Sequence, residues 1–288
     1  MPTTRDFLEF HSLSADTILS IIDRANFLAE AWFKREMPPS LKDIRVAVIT
    51  DDSGWRNTTA FDLGVQAMGG ICAHPPISFD VREDTPDLAE YLDNWFDVIV
   101  ARTKELSALQ TLAACAEAPV INARTRSNHP CEILGDLAYI VGKRGAIDGL
   151  KVAIVAPNDN ILRSWVEASI SLPIEVRQIY PADWHDASLL NPNFSSGTDP
   201  ADMLDADVII TDAWPGNATK EQLLSYQISA ALLEKCRSGL MFLPCPPVAR
   251  GMEVSTDAME HPACQSRMAK AFLLHGQNAL LEWAAGRE

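Results

Sequence analysis

The chain carries little positive charge for its length. Its 288 residues include 24 Lys and Arg against 39 Asp and Glu, which gives a formal net charge of −15. Nucleic acids and anionic membranes are bound through basic surfaces, so this balance disfavours both as partners. It leaves room for a small anionic substrate, because a few clustered Arg side chains can bind a phosphate on an acidic protein.

Segments that would export or anchor the chain are also lacking. No apolar run reaches the ~18 residues of a membrane-spanning helix, and the opening MPTTRDFLEF has no apolar signal-peptide core. The six cysteines are scattered without a C-x-x-C pair, so neither a zinc knuckle nor a thioredoxin motif is expected. These features predict reduced thiols and a cytoplasmic protein.

Two further kinds of signature are missing. There is neither a Walker loop nor a G-x-G-x-x-G motif, which disfavours an NTPase or a Rossmann dinucleotide enzyme. His74, His185, His261 and His275 show no metal-ligand spacing, and we expect each to be structural or on the surface. Neither a cofactor nor a metal is predicted.

Short apolar runs alternate with amphipathic stretches along the whole chain. Buried strands are predicted at residues 45–50 (RVAVIT), 97–101 (DVIVA), 151–156 (KVAIVA) and 207–211 (DVIIT), among others. Helices are predicted between these strands, and the one after the first strand is predicted to begin at Thr58. This alternation predicts two α/β domains with mostly parallel sheets. The stretch NPNFSSGTDP at 191–200 is predicted to be an exposed loop.

The two domains are expected to join near residues 139–150, where VGKRGAIDG supplies three glycines and mixed charge. We assign residues 1–140 to the first domain and 148–262 to the second. The last helix, from about residue 263, is long enough to return to the first domain, so residues 263–288 are assigned there.

Three charged or titratable residues follow predicted strands, where open parallel sheets bind ligands. Arg56 lies in the turn after the first strand, Arg102 follows DVIVA, and His129 lies in NHPCE after PVIN. As a cationic set they can converge on a phosphate or a carboxylate. The alternative is that each is an ordinary surface or helix-capping residue.

In the order of its segments, the chain resembles the aspartate/ornithine carbamoyltransferase family over nearly its whole length. The segments are DFLEFHSLSADTILSIIDRA, WRNTTAFDLGVQAMGG, DVIVAR, PVINARTRSNHPCEILGDL, KVAIVAPNDN, ADVIITDAW, SYQIS and FLPCPPVARGMEV. The resemblance implies a trimeric enzyme of two α/β domains. It would transfer a carbamoyl group from carbamoyl phosphate to an amine, usually that of an amino acid.

The resemblance also implies a donor site. The family's phosphate loop, S-x-R-T-R, lies over Gly54, Trp55, Arg56, Asn57 and Thr58, and only its central Arg is kept. Ser53 can partly replace the lost hydroxyl. Arg102 matches a second phosphate-binding Arg, and His129 matches the His that polarises the carbamoyl carbonyl. Glu132 stands where the family has Gln.

Residues for the acceptor follow in the same way. Asn160 and Asp212 match residues that contact the amino-acid substrate, and FLPCPPVARGMEV supplies Cys245, Pro246 and Arg250. The family completes each site with a loop from a neighbouring subunit. Here that loop is 75–84, with Ser78 and Arg82 as its expected donors.

Glu132 raises a difficulty for phosphate binding. At ~4 Å and an effective dielectric constant of ~20, its carboxylate would repel a phosphate charge by about 4 kcal/mol. The repulsion falls if Glu132 is protonated or paired to Arg56 or Arg124. A rival hypothesis is therefore a non-catalytic or repurposed member of the fold that acts as a ligand-binding or assembly protein.

Overall fold

The computed structural model describes residues 5–50, 54–79, 83–189 and 191–288. The chain divides into two compact units, each of them α/β. Unit 1 comprises residues 1–143 and 270–288, and unit 2 comprises residues 144–269.

Unit 1 is built on a parallel sheet with strand order β2-β1-β3-β4. Its strands are β1 (Arg45–Thr50), β2 (Ile71–Ala73), β3 (Val98–Arg102) and β4 (Val120–Arg124). The interiors of β1, β3 and β4 are buried throughout, as expected of parallel strands covered on both faces. The chain order reverses between β1 and β3, which makes their carboxyl ends a topological switch point, the usual ligand-binding place in such sheets.

The helices of unit 1 surround this sheet. They are α1 (Ala15–Lys34), α2 (Trp55–Ala67), α3 (Thr85–Asp93), α4 (Leu106–Cys115), α5 (Pro130–Arg144, which ends at the unit boundary) and α9 (Ser266–Ala284, which begins in unit 2). The Ser14 hydroxyl caps α1 by accepting the Thr17 N–H at 3.2 Å. Helix α2 begins at Trp55, three residues before the predicted Thr58. The prediction started late because the first turn lacks the apolar periodicity of the rest of the helix.

Unit 2 has a parallel sheet of order β7-β6-β5-β8-β9. Its strands are β5 (Leu150–Val155), β6 (Ile174–Ile179), β7 (Phe194–Gly197), β8 (Val208–Thr211) and β9 (Met241–Pro244), and its helices are α6 (Asn160–Ser171), α7 (Lys220–Leu223) and α8 (Ala230–Leu233). Here the order reverses between β5 and β8, which gives this sheet a switch point of its own.

The predicted loop at 191–200 is wrong in part. Phe194–Gly197 forms the edge strand β7, which pairs in register with Val176–Ile179 of β6. The short 3-10 helix Pro200–Met203 follows it. An exposed edge strand needs no alternating apolar pattern, so the polar FSSG carried no strand signal and the pairing with β6 decided its conformation.

The remaining short elements are 3-10 helices at Phe10–Ser12, Ala182–Trp184, Leu224–Tyr226 and Ala258–Glu260. Among the described residues, no helix is both long and apolar enough to cross a membrane. The six cysteines are all free thiols.

Candidate active site

Three strands of unit 1 end in polar residues at one edge of the sheet. Thr50 at the end of β1 is the register partner of Arg102 at the end of β3, and Arg102 is the register partner of Arg124 at the end of β4. Like charges side by side on neighbouring strands repel, and a bound anion relieves that repulsion. The sequence offered the same signal for Arg124 as for Arg102, a cation at the end of a buried strand, but the family resemblance gave it no role.

The first turn of α2 lies at the β1/β3 switch point. Trp55 and Arg56 are both exposed, and the Arg56 guanidinium lies 5.0 Å from the centre of a Trp55 ring. The hydroxyl of Thr58 donates to the Gly54 carbonyl at 3.3 Å and so stays within the turn. The first N–H groups of a helix have no partner inside it, and together with a guanidinium they suit an anion.

Gly54 allows Arg102 to reach this turn. A Cβ atom at position 54 would lie 2.6 Å from Nε and 2.8 Å from Cζ of Arg102. The arginine side chain therefore lies directly against the N-terminus of α2, in space that any other residue at position 54 would fill. Position 54 needs glycine for this close approach.

His129 is buried just before the first residue of α5, Pro130. Burial lowers its pKa to about 4, helped by the charges of Arg102, Arg124 and Lys270 and opposed by Glu132. The expected positive charge on His129 is therefore wrong, because the imidazole is neutral at neutral pH. A neutral ring still hydrogen-bonds a carbonyl, which is the role that the resemblance implied.

Asn57 links His129 to the C-terminal helix. Its Oδ1 atom accepts a 2.6 Å hydrogen bond from Nε2 of Gln277 on α9, and its Nδ2 atom lies 3.5 Å from Nε2 of His129. Both amide side chains are buried. The bond from Gln277 fixes which way the Asn57 amide points, so the group next to the imidazole is held in place.

Glu132 is paired to neither of the arginines expected for it. The ammonium of Lys270 on α9 lies 2.7 Å from Glu132 Oε1, 2.7 Å from Asp136 Oδ1 and 2.9 Å from Asp136 Oδ2. Glu132 and Asp136 are four residues apart on α5 and share one helix face. Lys270 therefore offsets the repulsion that Glu132 would exert on a phosphate.

The ionisation of the two carboxyls follows from this arrangement. Burial acts to raise the pKa of Glu132, but the Lys270 ammonium, helped by the charge of Arg56, holds it below its ordinary value. Burial raises the pKa of Asp136 to about 6, with Glu132 adding to the rise and Lys270 opposing it. Lys270 is 134 residues from Asp136 in sequence. No local sequence pattern predicts that the two residues pair.

In unit 2, two predicted residues lie at the β5/β8 switch point. Asn160 is buried and is the first residue of α6, where Asp159 caps the helix by accepting the Asn160 N–H at 2.6 Å. Asp212 directly follows β8, and its Oδ1 atom accepts the Ala213 N–H at 2.8 Å. Burial raises the pKa of Tyr180, and the nearby Asp212 carboxylate contributes to that rise.

The other predicted residues of unit 2 follow β9. Cys245 is buried, and its sulfur lies 3.9 Å from the Pro246 carbonyl oxygen. Arg250 is exposed and contacts its own loop, donating to the Thr256 carbonyl at 3.2 Å and lying 3.9 Å from a Glu260 oxygen.

The predicted intersubunit loop is described only in part. Ser78 is half-buried in the segment after β2. Arg82, and likewise Ser53 of the phosphate loop, lie outside the described residues.

A cavity of about 540 Å³ lies elsewhere in unit 2, at the amino ends of β5 and β6. Ion pairs between Lys151 and Asp205 and between Arg177 and Asp202 join residues of its lining. Ligands of parallel sheets bind at the opposite, carboxyl edge, so we assign the candidate site to the switch point rather than to this cavity.

Both halves of the chain match family models. Residues 5–141 match "Aspartate/ornithine carbamoyltransferase, carbamoyl-P binding domain". Residues 148–284 match "Aspartate/ornithine carbamoyltransferase, Asp/Orn binding domain".

Individual relatives agree with these models. The ornithine carbamoyltransferase of Chlorobaculum tepidum is 30% identical over 96% of this chain and 88% of its own length. That of Nitrobacter winogradskyi is 30% identical over 98% and 97%. Among solved structures, ornithine carbamoyltransferase from Burkholderia thailandensis superposes with a TM-score of 0.91 at 27% identity, covering 99% of this chain and 100% of that one. The enzyme from Pyrococcus furiosus gives 0.92 at 27% identity, covering 98% and 97%.

Proposed function

The chain belongs to the aspartate/ornithine carbamoyltransferase family, and we propose that it transfers a carbamoyl group from carbamoyl phosphate, or a related anionic donor, to the amine of an amino-acid-like acceptor. In this proposal unit 1 binds the donor and unit 2 binds the acceptor. The observation that carries it is the position of Arg102, held against Gly54 at the switch point and beside Arg124. Two adjacent guanidinium groups at a strand-end edge suit a phosphate, because each can make charge-assisted bonds to its oxygens.

The polar groups of unit 1 suit the chemistry of this transfer. The acceptor amine attacks the carbamoyl carbon, the bond from that carbon to the phosphate oxygen breaks, and phosphate leaves. Arg56 and Arg102 bind the phosphate, since a guanidinium makes bidentate, charge-assisted bonds to phosphate oxygens. The neutral imidazole of His129 donates a hydrogen bond to the carbamoyl oxygen as charge develops there, a kind of contact often worth 10²–10³ in rate. Solvent or the departing phosphate takes the amine proton.

Lys270 has an indirect part in this reaction. By pairing with Glu132 it keeps an uncompensated negative charge away from the phosphate. It is a positioning residue, because it acts on the donor site through the α5 carboxylates that it contacts. The Gln-to-Glu change at position 132 is thereby compatible with an anionic donor.

Asn160 and Asp212 are the proposed acceptor contacts. An amide and a carboxylate suit the carboxylate and ammonium groups of an amino acid, respectively. Cys245, Pro246 and Arg250 lie in the segment after β9, and we propose that they lie next to the bound acceptor. A panel of amino acids and amines, incubated with carbamoyl phosphate and examined by mass spectrometry for carbamoylated product, identifies the acceptor.

The donor half can be tested without knowing the acceptor. Thermal unfolding is followed while carbamoyl phosphate or inorganic phosphate is titrated, and a ligand at 100 times its dissociation constant adds about 2.7 kcal/mol to stability. Arg56→Ala should abolish this gain while changing the ligand-free stability by under ~0.5 kcal/mol, because Arg56 lies in an exposed turn. Arg177→Ala, an exposed arginine of β6, is the matched control and should keep the full gain.

The same experiment separates the rival hypothesis. A non-catalytic member that has lost the donor site should show no stabilisation by either anion. If Arg56→Ala binds phosphate normally but melts at a lower temperature, Arg56 only holds its loop closed, and the proposed donor site is wrong.

The proposed assembly is a homotrimer in the cytoplasm. The trimer rests on the family, and the compartment rests on the six free thiols, which favour a reducing environment. Ser78 and Arg82 are the proposed contributions to a neighbouring subunit's site. Light scattering should give three times the chain mass of 31.6 kDa, and a concentration-independent mass equal to one chain would contradict the trimer.

A further inference from the structure

Three side chains of different chemistry come together beside α2, away from the residues assigned to carbamoyl transfer. They are Asp62 of α2, Cys72 of the edge strand β2, and His74 directly after that strand. Nε2 of His74 lies 3.4 Å from Oδ1 of Asp62 and 3.7 Å from Sγ of Cys72. Their ligand atoms all lie within 4.8 Å of one another.

The local structure explains this meeting. Side chains two apart in an extended segment point to the same face, so Cys72 and His74 project together. Asp62 faces them from α2, whose C-terminal end leads back through a tight turn into β2. Because the carboxylate comes from a helix and the other two groups come from β2 and the residue after it, no compact sequence motif marked the cluster.

The distances between the three groups are close to those that a shared metal ion requires. Zinc binds Cys sulfur at about 2.3 Å, His nitrogen at about 2.0–2.1 Å and carboxylate oxygen at about 2.0–2.2 Å in a tetrahedron. Those bond lengths place the sulfur and the nitrogen about 3.6 Å apart, and the nitrogen and the oxygen about 3.4 Å apart. The separations of 3.7 and 3.4 Å in this chain are nearly the same.

We propose that Asp62, Cys72 and His74 bind one Zn²⁺ ion, with the fourth position open to water or another ligand. Thiolate, imidazole and carboxylate are the three kinds of ligand that zinc takes from proteins. About a third or more of the Asp62 and His74 side chains is exposed, so an ion can enter from solvent. His74, set aside in the sequence as structural or on the surface, becomes a ligand.

A supporting hydrogen bond strengthens the case. Nε2 of Gln66, one turn along α2, donates to Oδ1 of Asp62 at 3.0 Å. Carboxylates that bind metals are themselves commonly held by such bonds, which fix their orientation. An ion pair between His74 and Asp62 accounts for two of the three groups, and the Cys72 sulfur completes a three-ligand set 3.7 Å from the imidazole nitrogen.

Zinc binding can be measured on the whole chain, expressed without an affinity tag and stripped of metal. Zn²⁺ is titrated in competition with a chromophoric chelator, and Co²⁺ is then used as a spectroscopic probe. The expected results are one equivalent of Zn²⁺ per chain and a thiolate-to-cobalt charge-transfer band. Cys72→Ser, His74→Ala and Asp62→Asn should each weaken binding by at least ~10–100-fold, the range known for weaker perturbations of metal sites.

Matched controls use the same residue types on other surfaces. Cys115→Ser and His11→Ala change an exposed cysteine and an exposed histidine of unit 1 and should leave binding unchanged. A measurement on the unaltered chain guards against misfolded variants: one equivalent of Zn²⁺ should protect Cys72 from alkylation, as read by peptide mass mapping, while Cys115 stays reactive. The proposal is overturned if the cluster variants bind as the controls do, if less than one equivalent binds, or if Cys72 is not protected.

Discussion

The two candidate half-sites use the same kind of place in two sheets but are built differently. Each lies at a topological switch point, between β1 and β3 in unit 1 and between β5 and β8 in unit 2. In unit 1 the side chains form a buried network, in which Lys270 holds Glu132 and Asp136 and Gln277 holds Asn57.

In unit 2 two of the proposed residues make local contacts. Asp212 accepts from the next residue along the chain, and Arg250 contacts its own loop. The topology thus supplies a candidate site in both units, and in unit 1 long-range side-chain contacts fix the geometry of that site. A network tied to distant helices fixes geometry, whereas locally held side chains can be replaced singly without disturbing the fold.

The largest expected effect comes from removing the Lys270 ammonium from the buried network of unit 1. Lys270→Met leaves Glu132 and Asp136 without their counter-ion, and removing one partner of a buried pair typically costs about 3–5 kcal/mol of unfolding free energy. Urea denaturation measures the loss. Lys151→Met, which breaks an exposed ion pair in unit 2, is the control and should change little.

A compensating variant sharpens this test. Adding Glu132→Gln and Asp136→Asn to Lys270→Met removes the whole charge set, and stability should return towards that of the unaltered chain. If the triple variant is as unstable as the single one, the loss comes from packing rather than from uncompensated charge.

The next effect concerns pH. The unfolded chain protonates His129 at its ordinary pKa of 6.5, but the folded chain does so only at about 4. The contribution of His129 to the free energy of unfolding is therefore fully present above pH 6.5 and is lost as the pH falls towards 4. The loss amounts to about 3 kcal/mol. His129→Asn should flatten the dependence of unfolding free energy on pH over this interval.

Asp136 acts in the opposite sense, because its raised pKa favours the folded state at low pH. Asp136 is present in both the His129→Asn variant and the unaltered chain, so the difference between their profiles of unfolding free energy against pH reports the titration of His129. His11→Asn, an exposed histidine of unit 1, should leave the profile unchanged. Parallel profiles for His129→Asn and the unaltered chain would show that the imidazole titrates normally.

A smaller effect is expected from filling the space at Gly54. In Gly54→Ala the added Cβ would lie 2.6 Å from Nε of Arg102 and would displace the guanidinium. Phosphate affinity, measured by calorimetry, should fall about 10–100-fold, as expected for losing a charge-assisted bond worth ~1.5–3 kcal/mol. Gly216→Ala has open space around its Cβ and should bind phosphate normally.

The smallest effect tests whether the two half-sites are separable. Asp212→Asn should weaken binding of the acceptor amine about tenfold, because it removes one charge-assisted contact. It should leave phosphate binding unchanged, since Asp212 belongs to unit 2 and the proposed phosphate contacts belong to unit 1. A change in phosphate affinity equal to that of Gly54→Ala would mean that the contrast between the units is mistaken.

Much of the fold was readable from local patterns. RVAVIT predicted β1 with the same bounds that the structure has, because a buried strand is specified by its own apolar residues. The edge strand β7 was not readable, because its four residues take their conformation from pairing with β6.

The candidate site divides in the same way. Arg56, Arg102 and His129 could be singled out because each follows a strand, and the family resemblance assigned their roles. The charge of His129 was predicted wrongly, because its neutrality depends on burial and on cations from three other segments. The Asp62–Cys72–His74 cluster was not predicted, because its carboxylate comes from α2 and its other two groups come from β2 and the residue after it.

The sequence by itself determined the alternation of strands and helices, the family and the positions of the strand-end cations, since all of these depend on residues close together in the chain. Only the tertiary structure decided the strand order that creates the two switch points, the approach of Arg102 to Gly54 and the pairing of Glu132 with Lys270. The physical reason is that burial and Coulomb energies depend on distance in space. Lys270 and Asp136 are 134 residues apart along the chain and 2.7 Å apart in the fold.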